Sequence, residues 1–162
     1  MFHKNWIFLL IVLISGLLQI TILDSFKVFN IKPDLLLISV VLGSLLFRPR
    51  WAFIFSIFAG VFKDAFSANI FCMNTILFML WCFIILKLTR QIAIDNNFMR
   101  IGLVFIIATI HNIITGLIFI YSGNFIPLGI FLRSVSLESL YTAVVLPLVI
   151  RIIRPVYPDI YL

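Results

Sequence analysis

The sequence predicts an all-α polytopic membrane protein built as a six-helix transmembrane bundle. Apolar residues make up 64% of the chain and charged residues 11%, with a mean hydropathy of +1.24. A soluble domain of this size could not bury so many apolar groups. The apolar residues also form continuous runs, whereas the strands of an outer-membrane barrel alternate apolar and polar residues. Because backbone polar groups in lipid need partners within the protein, continuous runs favour helices.

Six apolar segments define the expected helices, at residues 5–23, 34–47, 51–66, 72–88, 101–121 and 131–153. A spanning helix needs about 20 apolar residues, which the first, fifth and sixth segments supply. The first has no small-residue cleavage site, so we expect an uncleaved helix. The second spans only if its ends snorkel or the bilayer thins. The third is interrupted by Lys63-Asp64, as in a short spanning helix or a broken helix that lines a cavity.

The fourth segment carries the two cysteines of the chain, Cys72 and Cys82. Their spacing fits neither a redox pair nor a metal site, and we expect both to be small core residues. The longest connections, 24–33 and 87–100, are too short to fold an extramembrane domain. With no internal repeat in the sequence, we expect a single transmembrane domain over residues 1–162.

Lysine and arginine predict the orientation of the bundle. With the N-terminus inside, the cytoplasmic side receives eight of the twelve basic residues: Lys4, Arg48, Arg50, Lys87, Arg90, Arg100, Arg151 and Arg154. This bias obeys the positive-inside rule and places both termini in the cytoplasm. The net charge of +6 is therefore a topological signal and not a sign of nucleic-acid binding. The basic inner rim also favours contact with anionic membrane lipid.

Polar side chains gather toward the predicted outer half of the membrane. Seven of them are candidate residues of an intramembrane polar cluster with a partner-binding or structural role: Gln19, Asp34, Lys63, Asp64, Asn74, Arg133 and Glu138. A charge exposed to lipid costs about 2.5–3.5 kcal/mol on insertion scales, so one shared cluster accommodates them at the lowest cost. We expect His111, near the middle of the fifth segment, to be a hydrogen-bonded core residue rather than a metal ligand.

Simpler roles stay open for some of these residues. Asp34 follows Pro33 at a helix start, where a carboxylate is favoured by the positive helix end. Lys63 and Asp64 are neighbours that point to different sides of one helix, so each is expected to find a partner elsewhere, unless Lys63 snorkels outward. For Asp64 the expected partner is Arg133 or Asn74.

The sequence predicts no enzyme, no catalytic residue, no metal and no cofactor. It contains no G-x-S-x-G elbow, no H-E-x-x-H, no C-x-x-C and no phosphate-binding glycine loop. Asp34 and Asp64 could in principle form an aspartyl dyad like that of the lipoprotein signal peptidases. The asparagine- and glycine-rich surroundings of that family are missing here, and this chain has six segments where that family has four.

A recognisable series of residues extends from the first segment to the fourth. It comprises Gln19, Pro33-Asp34-Leu35-Leu36-Leu37, Arg48-Pro49-Arg50, Gly60 with Asp64, Ser67 and Asn74. This order resembles the MreD family of bacterial rod-shape-determining membrane proteins, in which Pro33 and Gly60 correspond to structural positions. Where that family often has Pro-Leu-Gly before the asparagine, this chain has Ile70-Phe71-Cys72, which leaves the backbone of this turn open.

The resemblance implies a non-enzymatic scaffold of the cell-elongation machinery in the bacterial inner membrane. Such a protein binds MreC, a single-pass protein, and through it is linked to MreB and the wall-synthesis enzymes, supporting peptidoglycan synthesis and cell shape. The resemblance also implies a fold similar to the S-components of energy-coupling-factor transporters. The alternative is therefore a vitamin-binding membrane subunit of a transporter, although the predicted outer loops offer few aromatic residues for such a site.

Overall fold

The computed structural model describes residues 2–25, 31–66, 72–91, 96–124, 127–155 and 157. Nearly all of these residues lie in six helices: α1 (Phe2–Ser25), α2 (Leu35–Leu46), α3 (Pro49–Phe66), α4 (Met73–Thr89), α5 (Asn97–Tyr121) and α6 (Leu128–Ile153). Each helix overlaps one predicted segment. α5 begins four residues earlier than predicted because the Asn96 side chain accepts a hydrogen bond from the Phe98 N–H and caps the helix.

The short helix α2 lies at the centre of the bundle. It contacts each of the other five helices, and its residues from Leu36 to Ser44 are all buried. A helix that is apolar on all sides is stable only when it is surrounded. With 12 residues and a rise of about 1.5 Å per residue, α2 is shorter than the hydrocarbon layer. Its N-terminal end is covered by protein, so α2 needs neither the snorkelling ends nor the thinned bilayer that the sequence suggested.

The remaining helices pack around α2 as two hairpins and one single helix. α3 contacts α4 along its length, α5 contacts α6, and α1 packs against α2 and α3. Gly60 sets the distance between α3 and α4, since a Cβ placed there would lie 2.4 Å from the Thr75 Cα. Only a glycine allows the two backbones to approach this closely. The motif glycine of the third segment is therefore a packing residue.

An aromatic cluster closes the end of the bundle at which α2 meets α3. The Phe8 ring centroid lies 4.8 Å from those of Phe47 and Phe55, and 6.0 Å from that of Tyr157. These contacts join α1, the α2–α3 turn and the segment after α6. Tyr157 is only 3% exposed, and this burial raises the pKa of its hydroxyl to about 12.

The outer surface of the bundle is strongly apolar. Phe98, Leu128 and Ile152 are 81%, 75% and 66% exposed, respectively. Exposed apolar surface of this extent is typical of proteins that contact lipid or other membrane proteins. Within the described residues, length and composition identify two helices that could cross a membrane, Phe98–Tyr121 and Leu128–Ile153, rather than the predicted six. Three further apolar helices are shorter: Asn5–Thr21, Leu35–Leu46 and Met73–Thr89.

Replacing Gly60 with alanine is expected to push α3 away from α4, because the added Cβ would meet the Thr75 backbone. Overpacking of this kind costs about 1–3 kcal/mol, which thermal unfolding in detergent would detect as a lower midpoint. Gly102→Ala is the matched control, since nothing lies within 4 Å of a Cβ at that helical position. Equal midpoints for the two variants would show that the α3–α4 distance does not depend on Gly60.

Candidate functional site: a buried polar core

The carboxylate of Asp34 is the centre of a buried polar core. Its Oδ1 accepts hydrogen bonds from the Leu37 N–H over 3.1 Å and from Gln19 Nε2 over 3.3 Å, and its Oδ2 pairs with the Lys63 ammonium group. Asp34 is thus the N-cap of α2, as the simpler sequence interpretation proposed, and also one half of an ion pair between α2 and α3.

Two further side chains complete the start of α2. Gln19 from α1 accepts a hydrogen bond from the Leu36 N–H over 3.2 Å, so it satisfies a second unpaired amide of the first turn. Thr142 from α6 accepts from the Asp34 N–H over 3.1 Å through its Oγ1. Three neighbouring helices therefore contribute to one helix end that has no access to water. Pro33 is also buried there and has no N–H that would need a partner.

Lys63 reaches this core from the outer part of α3. Its side chain is 17% exposed and that of Asp34 is 3% exposed. Its Nζ also lies 5.1 Å from the centroid of the Phe78 ring, a favourable place for a cation. Removing one member of a buried ion pair leaves the other charge without compensation. Each charge of this pair therefore depends on the other.

His111 from α5 is fully enclosed and meets two hydrogen-bond donors. The Trp81 Nε1–H donates to its Nδ1 over 3.3 Å, and Lys63 Nζ lies 3.2 Å from its Nε2. A neutral imidazole accepts at one nitrogen only. His111 therefore accepts either from Trp81 at Nδ1 or from the Lys63 ammonium group at Nε2. The prediction of a hydrogen-bonded core histidine is confirmed.

Asp64 forms a separate contact between α3 and α4. Its Oδ1 accepts hydrogen bonds from the N–H and Nδ2 of Asn74 over 3.0 and 2.9 Å. Its Oδ2 accepts from the N–H and Oγ1 of Thr75 over 2.9 and 2.6 Å. Asp64 thereby caps α4 from another helix and places a negative charge at its positive end. Of the two partners expected for Asp64, the structure brings Asn74 to it and not Arg133.

The residue that should cap α4 does not do so. Cys72 occupies the N-cap position without a side-chain hydrogen bond, and its φ is +64°. This left-handed conformation costs a non-glycine residue roughly 1–2 kcal/mol. This is a conformation that glycine adopts readily. Both cysteines were expected to be small core residues. Cys82 is fully buried in the core, whereas Cys72 is half-buried.

The hydrogen bonds divide the predicted cluster residues into two groups. Gln19, Asp34 and Lys63 form the polar core, whereas Asp64 and Asn74 form the α4 cap. Lys63 and Asp64 separate because neighbouring residues point about 100° apart around a helix with 3.6 residues per turn. Two residues of α6 belong to neither group. Arg133 is exposed, and Glu138 lines a cleft against α5. Ser67 of the motif lies outside the described residues.

Four residues of these contacts were not among the predicted site residues: Thr75, Trp81, His111 and Thr142. Trp81 carried a usable signal, since an indole in the middle of an apolar helix needs a partner for its N–H. The two threonines carried none, because an isolated hydroxyl in a helix can bond to its own backbone. Within the described residues, no group of three or more His, Cys, Asp or Glu side chains is placed to hold a metal ion.

Comparison with known protein families gives a match over nearly the whole chain. The family model for rod shape-determining protein MreD matches residues 1–156 of the 162-residue chain. The chain belongs to this family. It is therefore a membrane protein with a role in rod shape determination. The family consists of shape-determining structural proteins and is not a known family of enzymes. No curated protein and no solved structure matches the chain.

Cys72→Gly is expected to raise the thermal midpoint, because glycine adopts φ of +64° without the steric cost that a side chain incurs. Relief of left-handed strain should stabilise the protein by about 1 kcal/mol. Cys72→Ala is the control, since it removes the thiol and keeps the strain. A midpoint that rises equally in both variants would assign the effect to the thiol and not to the backbone.

Lys63→Met is expected to destabilise the protein strongly, because the buried Asp34 carboxylate loses its counter-charge. Breaking such a pair costs about 3–5 kcal/mol. Lys87→Met, at an exposed position in the last turn of α4, should cost less than about 0.5 kcal/mol.

The double variant Asp34→Asn with Lys63→Met should lose less stability than Lys63→Met alone, since no uncompensated charge stays buried. Thermal unfolding in detergent and the yield of monodisperse protein are the measurements. If Lys63→Met and Lys87→Met unfold at the same temperature, the ion pair does not hold the bundle together.

Proposed function

We propose that this chain is a non-enzymatic scaffold of the bacterial inner membrane that binds MreC within the bilayer. The observation that carries the proposal is that Asp34, Lys63, His111 and Asp64 bond to other side chains and helix ends of the protein itself. Polar groups used in this way fix the positions of the helices. This arrangement suits a rigid platform, and membership of a shape-determining family supplies the context.

The contacts of the two aspartates argue against proteolysis. An aspartyl dyad needs two carboxylates that share one site. Asp34 is bonded to Lys63 and Gln19, whereas Asp64 is bonded to the first turn of α4. No hydrogen bond joins the two carboxylates in the described part of the chain. The structure therefore offers no place where both could act on one substrate.

The two described cavities also argue against the vitamin-binding alternative. One of about 580 Å³ lies between α1, α2 and α6 and is lined mostly by aliphatic side chains, together with Ser15, Ser39 and Tyr141. The other holds only about 210 Å³. Sites for small organic molecules combine a volume of roughly 300–1,000 Å³ with a few convergent polar groups. In the larger cavity the Ser15 and Ser39 hydroxyls are already bonded to each other and to the carbonyls of their own helices, and the smaller cavity lacks the volume.

We further propose that all six helices cross or line the membrane part of the protein, as one transmembrane domain with both termini in the cytoplasm. The distribution of eight basic residues on one side and four on the other supports this orientation. MreC would link the protein to MreB and to the wall-synthesis enzymes, and the basic rim would contact anionic lipid. A reporter that is active only outside the cytoplasm, fused after Leu162, should stay inactive; an active reporter would contradict the orientation.

Co-purification tests the scaffold directly. The tagged protein, expressed with the MreC of the same organism and extracted in mild detergent, is expected to retain MreC through gel filtration. An unrelated six-helix membrane protein with the same tag is the negative control. Mass spectrometry of the purified sample should find no stoichiometric small molecule. Loss of MreC together with a stoichiometric vitamin would instead support the transporter subunit.

A further inference from the structure

Glu138 lines a cleft between α5 and α6. The residues of the polar core, Gln19, Asp34 and Lys63, are not among its lining residues. The cleft has a volume of about 210 Å³. Its polar lining comes from Asn112 and Thr115 on α5 and from Ser134 and Glu138 on α6, and the Thr115 hydroxyl is already bonded to the backbone of its own helix. The rings of Phe119 and Phe131 flank the cleft toward the α5–α6 turn. Glu138 is half-buried, so its carboxylate is partly accessible from the cleft.

The polar groups of this cleft lack the partners that the other carboxylates have. Among the described residues, no hydrogen bond or ion pair reaches the side-chain oxygens of Glu138, and none engages the side chains of Asn112 or Ser134. Glu138 interacts with the charges of Lys63, Asp34 and Lys32 only through space. Asp34 and Asp64, by contrast, are each bonded by at least two other residues. Charges in a transmembrane helix normally pair with another group. The cleft is therefore incomplete in the isolated chain.

The depth of the cleft restricts what can complete it. Glu138 lies ten residues after Leu128 and Asn112 lies nine residues before Tyr121, the ends of α6 and α5 at their connecting turn. At a rise of about 1.5 Å per residue, both lie roughly 14–15 Å from those helix ends. With 25 and 26 residues, α5 and α6 are longer than the hydrocarbon layer of about 30 Å, so the floor of the cleft lies within the half of that layer nearer the α5–α6 turn. The headgroup of a lipid cannot reach this depth, whereas a side chain on a neighbouring helix can.

Size and charge define the occupant. The volume is below the roughly 300–1,000 Å³ of sites for small organic molecules, and it suits a single side chain. A carboxylate beside an amide and a hydroxyl favours a cationic hydrogen-bond donor. We propose that this cleft receives a lysine or arginine side chain from the transmembrane helix of a partner protein. The proposal rests on the proposed scaffold function and assigns its docking face to α5 and α6.

A synthetic leucine-rich transmembrane peptide with one central lysine is the probe, compared with the same peptide carrying leucine at that position. Binding to the full-length protein is measured by fluorescence energy transfer in phosphatidylcholine vesicles. The wild-type protein is expected to bind the lysine peptide about tenfold more tightly. Glu138→Gln should abolish this preference and leave binding of the leucine peptide unchanged.

A matched pair of serines tests the cleft independently of charge. Ser134→Leu fills the cleft and is expected to weaken binding of the lysine peptide about tenfold, a loss typical of one interhelical polar contact. Ser136→Leu, at an exposed position two residues further along α6, should have no effect. Equal binding of the two peptides to the wild type would overturn the proposal, as would equal losses for the two serine variants. Dimers that Glu138→Gln dissociates, without any peptide preference, would instead identify a second copy of this chain as the occupant.

The outcomes for the cleft and for the scaffold are separable. If the wild type retains MreC in detergent but shows no preference for the lysine peptide, the cleft proposal is wrong and the scaffold stands. If the wild type fails to retain MreC, the scaffold proposal is wrong whatever the peptide does. Gel filtration of each variant establishes that it is folded before binding is measured, and either Glu138→Gln or Ser134→Leu suffices for the test.

Discussion

The buried ion pair between Asp34 and Lys63 is the constraint on which the rest of the bundle depends. In lipid, an isolated charge has no solvent to stabilise it, so each of these residues fixes the position of the other. Asp34 also caps α2, which means that the pair sets the depth and rotation of the central helix as well as the position of α3. Gln19 and Thr142 add hydrogen bonds from α1 and α6 at the same helix end.

The outer end of α3 gains its organising role from two adjacent residues with opposite charges. Lys63 turns inward to the start of α2, and Asp64 turns toward the start of α4. Two helix N-termini are thus satisfied by side chains from other helices, which supply partners for N–H groups that have none within their own helix. Gly60, one turn earlier, lets α4 come close enough for the Asp64 contact to form. The close approach at Gly60 and the capping by Asp64 therefore belong to one interface between α3 and α4.

The helices of this protein could be predicted from sequence, but their rotations could not. Continuous apolar runs indicate where each helix lies, and caps such as Asp34 indicate where one begins. In a soluble helix, the polar face also reports which side points outward. A helix with lipid on one side and protein on the other is apolar on both, so that signal is missing. Asn74 was predicted as a partner of Asp64 because the two residues flank the same turn. The partner of Lys63 and the exposure of Arg133 depend on helix rotation, so they were not predicted.

The three membrane carboxylates differ in how completely the chain itself satisfies them. Asp34 and Asp64 are fully engaged at helix ends, and their removal acts on the fold. Glu138 is the one of the three whose side chain has no hydrogen bond among the described residues, and it lines the cleft between α5 and α6. A fold that satisfies two carboxylates so thoroughly has little structural reason to retain a third without a partner. Since an unpaired charge at this depth is costly, a partner from outside the chain gives Glu138 a physical reason to be there.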